Sequence, residues 1–173
     1  YFRRLGPDII AFDLVGQGQQ VLDELGVRWV VLDRYKMPGG KERTATEDAA
    51  GQIFGAQPPV YRDDRLTVYE VTPPPVRTPY LLLDAGWSSF DGSAGARAFI
   101  GQADVVVRAP AGGSATLRVM LADGSAPLAS SSAVSVAGDA YLAPLTLHAG
   151  DNRVTLRGPA GGRVIVKELA LLP

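Results

Sequence analysis

The stretch GWSSFDGSAGARAF, residues 86–99, sets aromatic rings among small and polar residues. Exposed aromatic rings stack on the apolar faces of sugars, while neighbouring polar groups bind the hydroxyls. Trp87, Phe90 and Tyr141 are therefore candidate stacking residues, and Arg97 is a candidate donor to a glycan. The alternative for Trp87 is a plug over one end of a β-sandwich, which is the favoured interpretation because large aromatics dominate core burial.

Catalytic chemistry has less support from the residue types. A serine hydrolase needs a nucleophile, a base and an orienting acid, yet His148 is the single histidine and no Gly-x-Ser-x-Gly motif occurs. A glycosidase needs two carboxylates across a cleft, which spacing alone does not identify among these aspartates. Those considered are Asp63, Asp64, Asp84, Asp91, Asp104 and Asp139. Asp63 and Asp64 fall in a predicted turn, where aspartate bonds backbone amides, so we predict no catalytic residue.

Metal chemistry is restricted to one kind of site. The chain has no cysteine, which excludes disulfides and thiolate ligands, and its one histidine excludes multi-histidine sites. Sugar-binding β-sandwiches often carry a structural calcium held by carboxylates and carbonyls. Asp84, Asp91 and Asp139 lie near predicted loops and are the calcium candidates, and no other cofactor is expected.

Charge argues against a nucleic-acid partner, and hydropathy argues against a membrane-spanning segment. The 173 residues include 17 basic and 18 acidic side chains, a formal net charge of −1, and the basic residues are scattered. We therefore predict no binding to nucleic acid, which requires clustered positive charge. The longest apolar runs are short, such as YLLL at 80–83, so none of them spans a membrane. The chain begins at tyrosine without a signal-peptide pattern, and we expect it to be part of a longer protein.

The segment VTPPPVRTP, residues 71–79, divides the sequence into two regions. Three consecutive prolines favour a stiff, extended connection. We place the boundary at residue 76, with a small α/β unit over 1–76 and a β-sandwich domain over 77–173.

The first region shows helix and strand signals in alternation. Helical spacing before Gly26 predicts a helix, and VRWVVLD at 27–33 predicts a buried strand with Trp29 in the core. TATEDAAGQIFG at 44–55 predicts a second helix, with a capping box from Thr44 to Glu47 and an end at Gly55. Val60 and Tyr61 are then predicted to pair with residues 66–71 across the RDDR turn.

The second region reads as short strands separated by glycine, proline, asparagine and aspartate clusters. The predicted strands are 79–84, 97–108, 115–122, 132–136, 140–147, 152–157 and 163–172. Apolar and polar residues alternate, as in Leu117, Val119 and Leu121 against Arg118. About seven strands at this spacing indicate a mainly β fold, a β-sandwich of jelly-roll, galactose-binding-like type.

Four stretches together resemble the extracytoplasmic C-terminal region of bacterial polytopic membrane glycosyltransferases and related uncharacterised membrane proteins. They are VLDELGVRWVVLDRYKMPGG, QIFGAQPPVYRDDRLTVYEV, GWSSFDGSAGARAFIGQADVVVRAP and AGDNRVTLRGPAGGRVIVKELAL. The matching positions in the first region are residues 25–31 and 59–71. One departure stands out, because Ala98 follows Arg97 where the group has a tryptophan.

The resemblance implies a carbohydrate-binding-module-like domain tethered by upstream transmembrane helices at the extracytoplasmic face of a bacterial membrane. In such enzymes the donor is a lipid-linked sugar, and an acidic residue in an extracytoplasmic loop of the upstream membrane domain acts as the base, so no catalytic residue transfers to this chain. The expected partners are a glycan or polysaccharide and the chain's own upstream membrane domain. The role is glycan binding, acceptor positioning or scaffolding, without catalysis. The alternatives are a free-standing secreted carbohydrate-binding or adhesion module and, less favoured, a glycoside hydrolase.

Overall fold

The computed structural model describes residues 13–37, 39–55, 57–89, 91, 95–129, 135–137 and 140–173. The fold is mainly β, with two helices and several antiparallel sheets within these ranges. The chain divides into two compact units between Arg77 and Thr78. In the described part of the chain, no helix is both long enough and apolar enough to cross a membrane.

The first unit combines two helices with one small sheet. Its elements are α1 (Leu14–Glu24), β1 (Trp29–Asp33), α2 (Lys41–Phe54), β2 (Tyr61–Arg62) and β3 (Leu66–Glu70). The three strands are antiparallel in the order β1-β3-β2, so β1 lies at an edge. The Asp13 side chain accepts a hydrogen bond from the Val15 amide and caps α1, while Gly26 adopts a positive φ of 73° just after α1.

The core of the first unit lies between the helices and one face of the sheet. Leu22 of α1, Val30 of β1, and Ala50 and Phe54 of α2 form its buried cluster. The ring of Tyr69 in β3 stacks on Phe54, with ring centroids 4.6 Å apart and planes 8° from parallel. The helices therefore cover a single sheet face, on which Val30 and Tyr69 are paired residues.

Two predictions for this unit are wrong. Trp29 is 51% exposed, because alternate residues of a strand point to opposite faces and Val30 takes the core position. The second helix begins at Lys41 rather than Thr44, so the Thr44 and Glu47 capping box does not form. The Thr44 hydroxyl instead donates to the Gly40 carbonyl from inside the helix.

Other predictions for this unit are confirmed. The second helix ends at Phe54 with Gly55 as its C-cap. The hairpin pairs Tyr61 with Val68, and the Asp63 carboxylate accepts hydrogen bonds from two backbone amides in the turn.

All the secondary-structure elements described in the second unit are strands. They are β4 (Tyr80–Leu83), β5 (Arg97–Ile100), β6 (Gln102–Ala109), β7 (Gly113–Leu121), β8 (Ser135–Ala137), β9 (Ala140–Leu147), β10 (Gly150–Arg157) and β11 (Arg163–Leu172). They form a three-stranded sheet, β10-β6-β4, and a five-stranded sheet, β5-β11-β7-β9-β8. Both sheets are antiparallel, an arrangement consistent with a β-sandwich.

Both sheets contribute buried side chains at alternate positions. Val105 and Val107 are fully buried in the three-stranded sheet, as are Leu117 and Val164 in the five-stranded sheet. The predicted alternation is confirmed at Leu117 and Val119, which are buried. The prediction of one strand over 97–108 is wrong. The chain turns at Gly101, whose positive φ of 77° suits glycine, and β5 and β6 belong to different sheets.

Candidate functional site

A glycine turn brings the chain to Trp87. Gly86 has a φ of +90°, and an added Cβ would lie 2.3 Å from the Gln102 carbonyl oxygen. Around this turn the Asp84 amide donates to the Asp104 carbonyl at 3.0 Å, and the Asp104 amide donates to the Ala85 carbonyl at 2.8 Å. Only glycine fits a left-handed backbone that approaches a neighbouring strand this closely. The turn therefore fixes the backbone position of Trp87.

Trp87 is half-buried and held by two contacts. Its indole Nε1–H donates to the backbone carbonyl of Asp104 at 2.8 Å. Its ring meets Phe99 edge-to-face, with centroids 5.4 Å apart and an interplanar angle of 74°. These contacts fix the orientation of the indole and leave part of its surface exposed. They favour the packing role for Trp87 and also supply the rigidity that a stacking platform requires.

A network of charged side chains lies on the three-stranded sheet, around Asp104. Arg153 bonds the Asp104 carboxylate at 2.9 Å and the Asp84 carboxylate at 2.8 Å. The Thr155 hydroxyl donates to the second Asp104 oxygen at 2.7 Å. We call Asp84, Trp87, Asp104, Arg153 and Thr155 the Trp87 cluster. It groups a guanidinium, two carboxylates and a hydroxyl around Asp104, whose backbone carbonyl accepts the hydrogen bond from the Trp87 indole.

The electrostatics of the cluster keep its charges in place. Hydrogen bonds from Thr155 and Arg153 lower the pKa of Asp104 below its ordinary value. The bond to Asp104 and the nearby charge of Asp84 raise the pKa of Arg153. At neutral pH the cluster therefore presents ionised groups that donate and accept hydrogen bonds.

Arg97 lies one hydrogen-bonded step from Trp87. Its guanidinium donates to the Ser88 carbonyl at 2.9 Å. The Ser88 amide donates to the Ala98 carbonyl at 2.7 Å, and the Ala98 amide donates to the Ser88 hydroxyl oxygen at 3.0 Å. The structure therefore brings the two predicted residues Trp87 and Arg97 into one neighbourhood.

Tyr141 lies elsewhere on the five-stranded sheet. Tyr141 belongs to β9 and pairs with Val119 of β7. Two strands, β11 and β7, lie between β9 and β5, the strand that begins at Arg97. A strand spacing of about 4.8 Å puts Tyr141 roughly 14 Å or more from Arg97. Phe90 lies outside the described residues. Of the four predicted glycan contacts, two are thus neighbours, one is remote and one is not described.

The calcium candidates do not form a described group. Asp84 is ion-paired with Arg153, and the backbone of Asp91 pairs with Ala96. Asp139 lies outside the described residues. Where the structure describes side chains, no group of three or more acidic, histidine or cysteine residues could hold a metal ion. The structural calcium remains a prediction.

Two other candidates for chemistry, the backbone of His148 and the carboxylate of Asp63, take part in hydrogen bonds within turns. The His148 amide donates to the Asn152 side chain, which in turn donates to the His148 carbonyl, so this residue lies in a well-bonded turn. Asp63 accepts the Tyr61 hydroxyl at 2.7 Å in addition to its turn amides.

Sequence reasoning did not identify Arg153 or Thr155 as site residues. The signal was present, because Arg153 and Thr155 alternate with the apolar Val154 and Leu156 and must share the outer face of β10. The missing information was register. Thr155 pairs with Asp104 across 51 residues of chain, which no local pattern reveals.

Comparison with known protein families, with curated proteins and with solved structures finds no match for this chain. The site must therefore be interpreted from its own chemistry.

Proposed function

We propose that this chain is the extracytoplasmic, glycan-binding region of a bacterial multi-pass membrane protein that resembles glycosyltransferases, and that it performs no catalysis itself. The observation that carries the glycan-binding role is the Trp87 cluster, in which a partly exposed indole bonds the backbone carbonyl of Asp104, while the Asp104 carboxylate pairs with Arg153, which also pairs with Asp84. The resemblance of the sequence to extracytoplasmic tails supports the location.

The chemistry of the cluster suits a polyol ligand. Sugars present apolar C–H faces and a belt of hydroxyls, which need an aromatic surface together with donors and acceptors. The guanidinium of Arg153 has five N–H donors, and its bonds to Asp104 and Asp84 leave capacity for hydroxyls. The two carboxylates can accept hydrogen bonds from sugar hydroxyls. Binding would position a glycan acceptor for the membrane domain.

Two further observations support this proposal over a glycoside hydrolase. The pKa of Asp104 is lowered by Arg153 and Thr155, and the pKa of Asp151 is lowered by Arg108. A glycosidase general acid needs the opposite shift, because it must remain protonated near neutral pH. Carboxylates held as anions by arginine fit a binding surface better.

We further propose that the second unit is a jelly roll of the galactose-binding-like type. The supporting feature is its nested pairing, in which β5 joins β11 and β6 joins β10. Early strands thus pair with late strands in both sheets, as expected when a long hairpin folds over on itself.

The binding role is tested with the chain's two tryptophans. Trp29→Phe leaves Trp87 as the sole tryptophan. We expect its fluorescence to change saturably with maltohexaose, cellohexaose or mannohexaose. In that background Arg153→Gln should weaken binding roughly tenfold, because a charge-assisted hydrogen bond is lost.

Arg118→Gln is the matched control for this experiment. Arg118 is also an ion-paired strand arginine, bonded to Glu168, but it lies on the five-stranded sheet. Its replacement should leave affinity unchanged. A Trp87 emission that responds to none of the three sugars would refute the glycan-binding role at this cluster.

The location is tested on the full-length natural protein. A reporter fused after Pro173 should sediment with membranes and be degraded by protease added outside the cytoplasmic membrane. Release of the intact protein into the medium would support the secreted-module alternative instead.

A further inference from the structure

The face of the first unit's sheet that lies opposite its core carries exposed aromatic rings. Trp29 and Tyr61 are each 51% exposed, and Val31 between them is 50% exposed. We call Trp29, Val31, Tyr61 and Val68 the outer sheet face. Large apolar side chains at this exposure are notable when they share one face, whereas isolated examples are ordinary.

The strand register places these side chains together. Val31 of β1 and Tyr61 of β2 both pair with Val68 of β3, so the three form one row across the sheet. Trp29 lies two residues before Val31 on the same face of β1. Two strand spacings and two residue steps separate Trp29 from Tyr61, which amounts to about 12 Å. That separation exceeds the width of one sugar ring.

Hydrogen-bonding groups border the rings. Arg65 forms a bidentate pair with Asp33, with the closest nitrogen and oxygen 2.6 Å apart. The Tyr61 hydroxyl donates to Asp63, and Glu70 pairs directly with Trp29 across the strands. The border therefore supplies a guanidinium and two carboxylates at the Asp33 end of the strands, and the carboxylate of Glu70 at the Trp29 end.

We propose that the outer sheet face is a second glycan-binding site, which binds an extended, uncharged oligosaccharide across Trp29 and Tyr61. This inference rests on the proposed glycan-binding role but concerns different residues in a different unit. Its support is the combination of two exposed aromatic rings on one face of a sheet with a border of polar groups.

Charge complementarity selects the class of ligand. The Arg65 and Asp33 charges neutralise each other, so the border offers hydrogen bonds without a strong field of one sign. A nucleic acid or an anionic membrane needs a positive surface, which this face lacks because Asp63 and Glu70 adjoin the rings. A neutral chain of hydroxyls and apolar ring faces matches both features. The 12 Å separation favours an oligosaccharide over a monosaccharide.

The experiment reads each tryptophan separately. Trp87→Phe leaves Trp29 as the sole tryptophan, and Trp29→Phe leaves Trp87. Each variant is titrated with maltohexaose, cellohexaose and mannohexaose, and emission is followed. We expect a saturable response from Trp29 to at least one hexasaccharide and a much weaker response to the corresponding monosaccharide.

A matched pair of variants then tests stacking. In otherwise unchanged protein, Trp29→Leu should weaken hexasaccharide binding, measured by calorimetry, roughly tenfold, whereas Trp29→Phe should retain most of it. Leucine is apolar but has no flat ring. Equal affinity for the leucine and phenylalanine variants would overturn stacking as the mode of binding. Tyr61→Leu and Tyr61→Phe form the equivalent pair for the second aromatic ring of the outer sheet face.

The outcomes separate this inference from the proposed function. A response from Trp87 alone overturns the second site and leaves the Trp87 cluster intact. A response from Trp29 alone supports the second site and refutes the first, and silence from both refutes both. A Trp29 signal that follows protein concentration rather than sugar, with matching dimerisation in sedimentation, shows that a second copy covers the face and overturns the inference.

Discussion

Trp29 and Trp87 show how differently the two units treat the same residue type. Trp29 has the more apolar neighbours in sequence, in VRWVVLD, yet it is 51% exposed. Trp87 stands in the polar stretch GWSSF and is half-buried, with its indole bonded to Asp104 and packed on Phe99. The position of each ring relative to the packed face decides its burial. Trp29 lies on the sheet face that the helices leave uncovered, whereas Trp87 lies in a turn that brings its ring against Phe99.

The largest expected effect comes from a substitution in the core of the first unit, beneath the covered face of its sheet. Phe54→Ala removes the most buried aromatic ring of the first unit's core and its stack on Tyr69. It should lower the free energy of unfolding of that unit by about 3–5 kcal/mol. Urea unfolding followed by circular dichroism should show an early transition for the first unit. Val31→Ala on the outer sheet face is the control and should cost about 0.5 kcal/mol or less. A similar cost for both would mean that the outer face is buried.

The next effect compares the tryptophans directly. Trp87→Ala removes a hydrogen bond and an aromatic contact, and should lower the free energy of unfolding by about 3 kcal/mol. Trp29→Ala removes an exposed ring and should change it by about 0.5 kcal/mol. Chemical denaturation of the two variants gives the comparison. If the two costs are equal, the contacts of Trp87 with Asp104 and Phe99 do not stabilise the fold.

A smaller effect tests the turn that precedes Trp87. Gly86→Ala would place a Cβ 2.3 Å from a backbone oxygen in a left-handed conformation, and should cost at least about 2 kcal/mol. Gly95→Ala is the matched control, because Gly95 also has a positive φ, of 57°, but an added Cβ meets nothing within 4 Å. Its cost should be about 1 kcal/mol, from backbone strain alone. Thermal melting that ranks the two in the reverse order would contradict the role of the Gln102 carbonyl.

Local pattern predicted much of this fold, and the failures share a cause. The hairpin of Tyr61 and the alternation around Leu117 follow from period-two spacing and turn chemistry, which neighbouring residues determine. The exposure of Trp29 depends on which strand occupies the sheet edge and which face the helices cover. The partnership of Arg153 with Asp84 and Asp104 depends on strand register. Neither property is local, so neither could be derived from the sequence.

The smallest expected effect is electrostatic. Hydrogen bonds from the Arg65 guanidinium and from the backbone amides of Tyr35 and Lys36 lower the pKa of Asp33 from 3.8 to about 2. A lowered pKa in the folded state means that the stabilisation is present above the unfolded pKa near 4 and is lost as pH falls through about 2. Asp33→Asn should therefore flatten the fall of the melting temperature between pH 4 and pH 2. Asp48→Asn, at an exposed position of α2, should leave that slope unchanged. An unchanged slope in Asp33→Asn would show that the Arg65 pair does not persist in solution.

The position of β1 at the edge of its sheet bears on how the protein behaves in concentrated solution. An uncovered edge strand with apolar side chains is a template for pairing with another chain, which leads to aggregation. Arg28 and Arg34 bracket β1, and both are exposed. Two such strands brought side by side in antiparallel fashion would bring arginines close to one another, and the repulsion opposes assembly. We therefore expect these two arginines to oppose association through β1, and this protection should weaken as added salt screens the charges.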